Sequence, residues 1–382
     1  MPIKIPAKRQ EKTAADFFAG IGLVTLGLDK AGWKTVYALD YDSEKAAAYE
    51  NHFGKGNYHI EDIATTKGKN VPEVTLAHAS FPCTDLSVAG GRKGINHGES
   101  SAFWQFARII SEMKKYYGKH SPPLVLLENV EGLLTSADGK DLKSVLLAMN
   151  ALNYHVDLLR INAAHFVPQS RVRIFIVCIH DNVMKNLDFD PLKQMNNLSG
   201  SNIRSAKIIE YVKKNPDIRW YAHPLPNLPE RTMPLTDIID LDAEWWPEER
   251  INFLRNQLHT RHKELLEKTI KNNQYSYFPA FRRTRERDGV KKSTVELRMD
   301  GIAGCLRTPK GGSARQIIVR AGKGRVDARL INEKEAARLM GAHDYKLNPN
   351  LNLNQVLFGF GDAVCVNAVE WLARNYLNML PV

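Results

Sequence analysis

Cysteine is scarce in this chain. Among 382 residues it occurs only four times, as Cys83, Cys178, Cys305 and Cys365. No two of them form a Cys-x-x-Cys pair, which excludes the usual spacing of zinc ligands and of a disulfide framework. We therefore expect no metal site, and a reducing, cytoplasmic setting.

Long apolar runs are missing too. No stretch reaches the roughly 18 apolar residues that a membrane-spanning helix requires. Residues 1–12 are basic and polar, and they lack the apolar centre of a secretory signal. We expect neither a membrane segment nor export.

Acidic side chains are in deficit, since 42 of them face 53 basic ones and leave a net charge of +11. Such a balance favours a polyanionic partner, with nucleic acid first and an anionic membrane surface second. The length exceeds what one ordinary hydrophobic core organises, so we expect two domains.

The stretch around Cys83 carries the most chemistry. A short apolar run at 74–77 predicts a buried strand, so Cys83 falls in the loop at its C-terminal end, where open α/β sheets bind ligands. Pro82 fixes the backbone before it, and small polar residues follow. A buried structural cysteine is the alternative interpretation.

Residues 13–32 predict a strand, a glycine-bearing turn and a helix. Gly20 and Gly22 let the backbone approach a ligand, next to the free N–H groups of a helix N-terminus. The turn is not the Gly-x-Gly-x-x-Gly of a dinucleotide binder, and alone it is a weak signal.

Acidic residues close the next two predicted strands. Asp40 ends the second strand and is placed to accept hydrogen bonds from a ribose diol, while Tyr41 beside it is placed to stack on adenine. For Asp42 a helix cap is an equal alternative. Asp62 lies near the end of a third strand at 58–63.

Strands and helices alternate up to about residue 180. The predicted elements are helices at 102–117 and 141–151 and strands at 122–130, 155–162 and 174–179. Glu128 stands near the end of an apolar strand, where a buried carboxylate is costly unless it has a partner or a task. We therefore favour a functional role for Glu128.

Arg171 and Arg173 precede the last of these strands. Alternate residues of an extended segment share a face, so both guanidinium groups are predicted to point the same way, toward one anion or one carbonyl. A solvated strand face is the alternative.

The alternation stops between about 181 and 328. An amphipathic helix is predicted from Pro247 to about Lys271, followed by a basic cluster mixed with aromatic residues, and helices are predicted at 329–345 and 358–375. The cluster comprises Arg282, Arg283, Arg285, Arg287, Lys291 and Lys292. For any single arginine a solvated face is the better interpretation.

Six segments, in this order, resemble the DNA cytosine-C5 methyltransferase family. They are DFFAGIGL at 16–23, FPCTDLS at 81–87, ENV at 128–130, PQSRVR at 168–173, RLINEKEAARLMGAHDY at 329–345 and GFGDAV at 359–364. Their order is the family's usual one and is not permuted.

The resemblance implies the catalytic roles. Cys83 would be the nucleophile that adds to C6 of cytosine. Glu128 would contact N3 and the exocyclic amine, and Arg173, with Arg171 in support, would hold O2. The base would be flipped out of the duplex, and the glycine-rich loop 88–96 would close over it.

The resemblance also implies the binding residues. S-adenosylmethionine would be the cofactor and S-adenosylhomocysteine the product. The implied cofactor residues are Phe18, Gly20, Ile21, Gly22, Asp40, Tyr41, Asp62, Ile63, Pro82, Asp362 and Ala363. The implied DNA contacts are Ser87, Gln169, Arg282, Arg283, Arg285, Lys310 and Arg315.

Some positions depart from the family's commonest pattern. Thr84, Asp85 and Leu86 stand where Gln-x-Phe is frequent, Asp362 stands where Asn is usual, and Ala363 replaces Ser. None of these changes removes a reacting group, so they bear on the closing loop and the cofactor pocket rather than on the reaction.

The expected architecture is an α/β Rossmann-like methyltransferase domain with a smaller, mixed target-recognition domain. The large domain would comprise 13–180 and a return segment at 329–382, and the recognition domain would comprise 181–328. We expect a prokaryotic cytoplasmic monomer associated with the nucleoid, which methylates duplex DNA and serves a restriction-modification or phage-defence system, with a cognate restriction or defence complex as a candidate partner.

Two alternatives stay open. A tRNA cytosine-C5 methyltransferase would share the fold and the chemistry, although that group usually has a shorter recognition region. A DNA-binding protein on an inactive scaffold would have no need for Cys83, Glu128 and Arg173.

Overall fold

The computed structural model describes residues 11–82, 102–118, 122–187, 189–287, 290–308 and 315–382. Cys83, Ser87, the loop 88–96 and Lys310 therefore lie outside the described residues. The chain forms two compact units. The first unit comprises the described residues up to Ile161, then Val172–Leu228 and Ala368–Val382; the second comprises Asn162–Arg171 and Pro229–Asn367.

A seven-stranded sheet forms the centre of the first unit. Its strands are β1 (Thr13–Phe17), β2 (Lys34–Asp40), β3 (Tyr58–Ile60), β4 (Leu76–Ala79), β5 (Leu124–Val130), β6 (Tyr154–Asn162) and β7 (Val172–His180). Across the sheet they follow the order β3-β2-β1-β4-β5-β7-β6. The strands from β3 to β5 pair in parallel, and β7 pairs antiparallel to β5.

Amphipathic helices cover this sheet. They are α1 (Leu23–Lys30), α2 (Ser43–Phe53), α3 (Ala102–Tyr117), α4 (Lys140–Ala151), α5 (Asp181–Met184), α6 (Pro191–Ser199) and α7 (Ala206–Lys214). The spacing of Phe103, Phe106, Ile109, Ile110 and Met113 gives α3 a fully buried stripe. This stripe belongs to the core that the sheet residues Phe17, Leu127 and Ile176 also form.

The strand order reverses between β1 and β4. From β1 the chain runs outward through β2 and β3, and it then returns to place β4 on the other side of β1. In open α/β sheets the crevice outside the carboxyl ends of the strands at such a reversal is where ligands bind. The loops after β1 and β4 are therefore the place to look for a site.

A four-stranded antiparallel sheet forms the centre of the second unit. Its strands are β8 (Ser276–Arg287), β9 (Val290–Leu297), β10 (Gln316–Gly322) and β11 (Arg325–Leu330), in the order β11-β10-β8-β9. The helices are α8 (Glu248–Asn256), α9 (Thr260–Ile270), α10 (Glu333–Leu339) and α11 (Leu353–Asp362). After α11 the chain returns to the first unit within α12 (Val366–Asn375). Short 3₁₀ turns lie at Gly68–Asn70, Glu131–Leu134, Ser136–Gly139, Ala163–His165, Leu235–Ile238 and Leu377–Met379.

The single helix predicted at 247–271 was wrong, because the structure has two. The chain leaves α8 at Gln257, whose carbonyl accepts the N–H of Val295 at 2.9 Å, and Leu258 forms a bridge with the same strand. His259 then caps α9, since its Nδ1 accepts the N–H of Arg261. Long-range pairing with β9 thus interrupts a continuous apolar pattern.

The predicted C-terminal helices were misplaced as well. Arg329 belongs to β11, and α10 begins only after a capping box between Asn332 and Glu335. The predicted helix at 358–375 is divided at Ala363, between α11 and α12.

The division into units differs from the predicted domain boundaries. Residues 181–228 belong to the first unit, and the chain returns to it at Ala368 rather than at 329. A buried ion pair explains the first difference, since Arg204 Nε donates to Asp157 Oδ1 of β6 at 3.0 Å. Asp240 ties 329–335 to the second unit, since its carbonyl accepts from Arg329 at 2.8 Å and its N–H donates to Glu335 at 2.9 Å.

One helical stretch among the described residues, Leu353–Met379, is long and apolar enough to cross a membrane by length and composition alone. More than half of its most apolar part is buried within the fold, as in the core helix of a globular protein. Within the same described ranges, no group of three or more His, Cys, Asp or Glu side chains is arranged to hold a metal ion.

Candidate active site

A glycine turn follows β1. Phe18, Gly20 and Gly22 all have positive φ, and Gly22 caps the N-terminus of α1. A Cβ on Gly22 would lie 2.5 Å from the rings of Tyr49 and Phe53, whereas a Cβ on Gly20 would meet nothing closer than 3.9 Å. Gly22 is therefore required for packing, and Gly20 leaves an open stretch of backbone. Ile21, between them, is buried.

Asp40 closes β2 beside this turn. Its carboxylate accepts the N–H of Gly20 at 3.0 Å and the N–H of Asp42 at 3.1 Å. Burial raises the pKa of the Asp40 carboxyl, and nearby Lys45 and the two backbone N–H groups oppose that shift. Each carboxylate oxygen keeps a further lone pair for a ligand hydroxyl. The adjacent Tyr41 ring is 69% exposed.

Asp62 begins a tight turn after β3, which is shorter than predicted. One carboxylate oxygen of Asp62 accepts the N–H of Ala64 at 2.8 Å, and Ile63 is buried. Asp42, for which a helix cap was the alternative interpretation, does cap α2 by accepting from the N–H groups of Glu44 and Lys45.

Arg108 of α3 holds the Asp62 turn in place. Its guanidinium donates to the carbonyls of Ile63 at 3.0 Å, Ala64 at 3.3 Å and Thr66 at 3.0 Å, and to Glu112 at 2.7 Å. The N–H of Gly68, at 2.7 Å, and Arg108 lower the pKa of Glu112. Sequence reasoning missed Arg108, because these contacts are about 45 residues apart in the chain.

Glu128 and Arg173 meet at the end of β5 and the start of β7. The two strands are antiparallel, so both residues lie at the edge of the sheet where β1 and β4 also end. Arg173 Nε lies 2.9 Å from Glu128 Oε1, and both side chains are largely buried. The N–H is not aligned with that oxygen, so Glu128 Oε1 is buried without a hydrogen bond among the described residues. An acceptor in this state is suited to a ligand's N–H group.

Asn129 connects the same strand end to the segment that leads to Cys83. Its side-chain amide donates to the Phe81 carbonyl at 3.1 Å, and the Phe81 ring packs on Phe103 at 5.3 Å. The backbone is therefore anchored just before Pro82. Pro82 is half-buried at the end of the described stretch.

These residues fit a nucleoside. Acidic side chains close β2 and β3, the turn at Gly20 presents open backbone, and Tyr41 exposes an aromatic face. The carboxylates of Asp40 and Asp62 can accept hydrogen bonds, and a ribose diol and an adenine amine can both donate them. Phe18 packs against the core with part of its surface accessible.

Two residues predicted to touch substrate are instead used inside the second unit. Gln169, predicted to contact DNA, is completely buried; it donates to the Leu339 carbonyl at 2.7 Å and accepts the N–H of Leu306 at 2.9 Å. Its amide thus satisfies buried backbone groups rather than facing DNA, which corrects the prediction.

Arg171 is also buried within the second unit. Its guanidinium donates to the carbonyls of Leu306 at 2.9 Å, Gly361 at 2.9 Å and Ala363 at 2.5 Å. This buried cation ties three backbone carbonyls together, and its predicted support of Arg173 stays a prediction. Asp362 is exposed at the end of α11, and Ala363 follows it, so their predicted cofactor roles stay predictions.

The predicted DNA contacts of the basic cluster lie on a two-stranded ribbon, formed by residues 282–287 of β8 and 290–295 of β9, which we call the basic ribbon. Residues 276–281 of β8 pair with β10, but residues 282–287 pair only with 290–295 of β9. Arg283 is exposed, close to Glu296 and to the Phe281 ring, and Arg282 is half-buried. The side chain of Arg285 lies outside the description; Arg315, half-buried, donates to Asn354.

The parallel sheet with its reversal between β1 and β4, together with the antiparallel β7, is the fold of the S-adenosylmethionine-dependent methyltransferases, which confirms the predicted fold class. The chain belongs to the C-5 cytosine-specific DNA methylase family, which matches residues 13–378. This confirms the predicted family and its cofactor, S-adenosylmethionine.

Curated relatives are Type II methyltransferases. M.HhaI of Haemophilus parahaemolyticus is 26% identical over 366 residues, covering 94% of this chain and 92% of its own length. M.Bsp6I of Bacillus sp. (strain RFL6) is 36% identical over 167 residues, and M.DsaV of Dactylococcopsis salina is 35% identical over 176. The chain matches about half the length of these two relatives (50% and 48%), or 43% and 46% of its own.

Solved structures share the fold. The Dnmt2 methyltransferase of S. pombe has a TM-score of 0.56 at 15% identity, and the methyltransferase EhMeth of Entamoeba histolytica has 0.61 at 10% identity. Each comparison covers 95% of this chain and 97% of the solved one.

Proposed function

We propose that this chain is a DNA (cytosine-5-)-methyltransferase that modifies one cytosine within a specific duplex sequence. The observation that carries the proposal is the Glu128–Arg173 pair, with its buried acceptor at the sheet edge that the Phe81–Pro82 segment also reaches. That pair offers an acceptor and a donor side by side, as the N4 amine and the O2 of a flipped-out cytosine require.

Each residue has a distinct task in the reaction. The Cys83 thiolate forms a bond to C6 of the ring, which makes C5 nucleophilic. Glu128 accepts from the exocyclic amine, and Arg173 donates to O2 and stabilises the charge that develops during the addition. The cofactor supplies an electrophilic methyl group when bound. Loss of the C5 proton and of Cys83 then restores the aromatic ring.

The cofactor would lie along the sheet edge. Asp62 would accept from the adenine amine with Tyr41 and Ile63 beside the ring, and Asp40 would accept from the ribose. The open backbone at Gly20 and the segment at Pro82 would border the remainder. In this proposal the reactive end of the cofactor would lie near β4, between the nucleoside site and Glu128 of β5.

Duplex DNA is favoured as substrate by the basic ribbon. A two-stranded ribbon fits the major groove. The basic ribbon contains Arg282, Arg283, Arg285, Arg287, Lys291 and Lys292. Phosphate contacts by such residues supply sequence-independent affinity. The predicted DNA contacts of Lys310, Arg315 and Ser87 belong to this proposal.

The named relatives extend the proposal to biology. Since M.HhaI and M.Bsp6I are Type II methyltransferases, protection of host DNA beside a cognate restriction or defence complex is the proposed role. We propose a monomer acting in the prokaryotic cytoplasm. A tRNA cytosine-C5 methyltransferase is the second candidate, because such an enzyme would share the fold and the chemistry.

The test is methyl transfer from radiolabelled S-adenosylmethionine to unmethylated genomic DNA and, in parallel, to bulk tRNA. We expect label in DNA that is absent with Cys83→Ser, and bisulfite sequencing then gives the site. Cys178→Ala is the matched control, because burial raises the pKa of that thiol and keeps it protonated in the core. Label in tRNA alone would move the protein to the second candidate. Binding without transfer to either substrate would indicate an inactive scaffold that binds DNA.

A further inference from the structure

A buried line of polar side chains crosses the first unit beneath its candidate site. Thr25 of α1 donates to Asp16 Oδ2 at 3.0 Å, and Asp16 Oδ1 lies 2.7 Å from His78 Nδ1. His78 Nε2 lies 3.2 Å from the hydroxyl of Ser80. Asp16 and His78 are directly opposite each other on β1 and β4, and both are fully buried.

This line requires a reason, because burying a carboxylate and an imidazole costs free energy that apolar residues would not. Strand pairing does not need either side chain, since β1 and β4 pair through their backbones. The only member of the line that is not buried is Ser80, which is half-exposed just past the end of β4. The line therefore ends at the surface of the crevice.

Hydrogen-bond chemistry leaves the Ser80 oxygen with acceptor capacity. A hydroxyl oxygen has two lone pairs and one proton. If the Ser80 hydroxyl donates to His78 Nε2, both lone pairs are left over, and if it accepts from Nε2, one is left over. In both arrangements the oxygen can accept a hydrogen bond from a ligand donor.

The strand order says which part of a ligand reaches Ser80. The proposed adenine contact follows β3, the proposed ribose contact ends β2, and the next positions along the sheet are β1 and then β4. The remainder of S-adenosylmethionine beyond the ribose is a sulfonium that carries an α-amino acid. Its ammonium is a strong donor that needs an acceptor.

We infer that Ser80 is a further cofactor-binding residue, which accepts a hydrogen bond from the α-ammonium of the amino-acid part and is held for that task by the Asp16–His78 pair. The inference rests on the proposed function. Ser80 contacts the cofactor in it, whereas Asp16 and His78 act only by positioning the hydroxyl.

The test compares two ligands by titration calorimetry. S-adenosylhomocysteine carries the amino acid, and 5′-methylthioadenosine is the same nucleoside thioether without it. We expect Ser80→Ala to weaken binding of S-adenosylhomocysteine about 10- to 100-fold, the size of one hydrogen bond to a charged group, and to leave 5′-methylthioadenosine unchanged. Ser80→Thr, which keeps the hydroxyl, is expected to retain most of the affinity.

Thr25→Val is the structural control. It removes the hydroxyl partner of Asp16 at the far end of the line, so it lowers thermal stability but leaves the affinity ratio of the two ligands as in wild type. Equal weakening of both ligands by Ser80→Ala, or no weakening of either, would overturn the inference while the proposed function stands. A wild-type protein that binds neither ligand would overturn both.

Discussion

Arg173 and Glu128 stand on antiparallel neighbouring strands, with 2.9 Å between Nε and Oε1, yet the N–H is not directed at that oxygen. The pair is thus close enough to neutralise charge and still leaves a buried acceptor for another group.

Glu128→Gln should therefore abolish most of the catalysis. Removing the carboxylate takes away an interaction that strengthens as charge develops on the ring, and such losses cost about 100- to 1,000-fold in rate. Single-turnover methyl transfer measures the effect, with S-adenosylhomocysteine affinity expected to stay constant. Glu131→Gln, which removes the exposed partner of Arg160 only three residues away, serves as the control and should remain near the wild-type rate. Wild-type turnover in Glu128→Gln would refute the assignment.

Substitution of the two turn glycines should separate backbone strain from packing. Gly20→Ala and Gly22→Ala both place a side chain at positive φ, which costs about 1 kcal/mol. Only Gly22→Ala also drives a Cβ to 2.5 Å from Tyr49 and Phe53, which adds about 1–3 kcal/mol of overpacking. Urea unfolding should show the larger loss for Gly22→Ala, and equal losses would contradict the packing argument.

His223 should make stability depend on pH. Burial, assisted by Arg204 and opposed by Asp157, lowers the pKa of His223 from its ordinary value of 6.5 to about 4. The unfolded chain therefore binds this proton more readily, so the contribution is fully present above pH 6.5 and is lost as the pH falls toward 4. The loss amounts to at most about 3 kcal/mol.

The measurement for His223 is urea unfolding at pH 7 and at pH 4.5. His223→Phe keeps an aromatic ring to stack on Tyr376, which lies 4.4 Å from His223 between ring centroids. The variant should lose less stability than wild type on acidification, because the other titrating groups are common to both proteins. The same loss in both proteins would contradict the prediction.

The ion pair of Arg329 and Glu335 should be the most sensitive point of the second unit. Both guanidinium nitrogens lie 2.6 Å from the two carboxylate oxygens, and both residues are buried. Glu335→Ala leaves Arg329 buried without compensation, at a cost of about 3–5 kcal/mol. Glu333→Ala, in the same turn of α10, should cost no more than about 0.5 kcal/mol. Equilibrium unfolding measures the loss in the free energy of unfolding for both variants. Comparable losses would show that the buried pair contributes little.

Local pattern was enough to predict the strands of the seven-stranded sheet, although not that residues 181–228 belong to the same unit. Apolar runs and the acids that end them, Asp40 and Glu128, are properties of short segments, so their strands and their common sheet edge follow from the sequence. The family resemblance supplied the fold class, the family and the cofactor, and these are confirmed.

The features that sequence reasoning missed depend on partners far along the chain. In the sequence Gln169 resembles a surface residue. In the structure its side-chain amide donates a hydrogen bond to the carbonyl of Leu339, 170 positions later. Asp16 and His78 are 62 residues apart, and only strand register brings them together. The break between α8 and α9 has the same kind of cause, because the bridge between Leu258 and β9 interrupts an apolar helical pattern.

The division of the chain has a consequence for biosynthesis. Asn378 accepts hydrogen bonds from Lys12 and Trp33 at 2.9 Å, and Tyr376 donates to Asp157 at 2.9 Å, all within the first unit. Residues 368–382 leave the ribosome after all of Pro229–Asn367. During translation, the whole sequence of the second unit is therefore available before the first unit, which carries the proposed cofactor residues, can complete its fold. A stalled nascent chain would present the basic ribbon before it could hold a methyl donor.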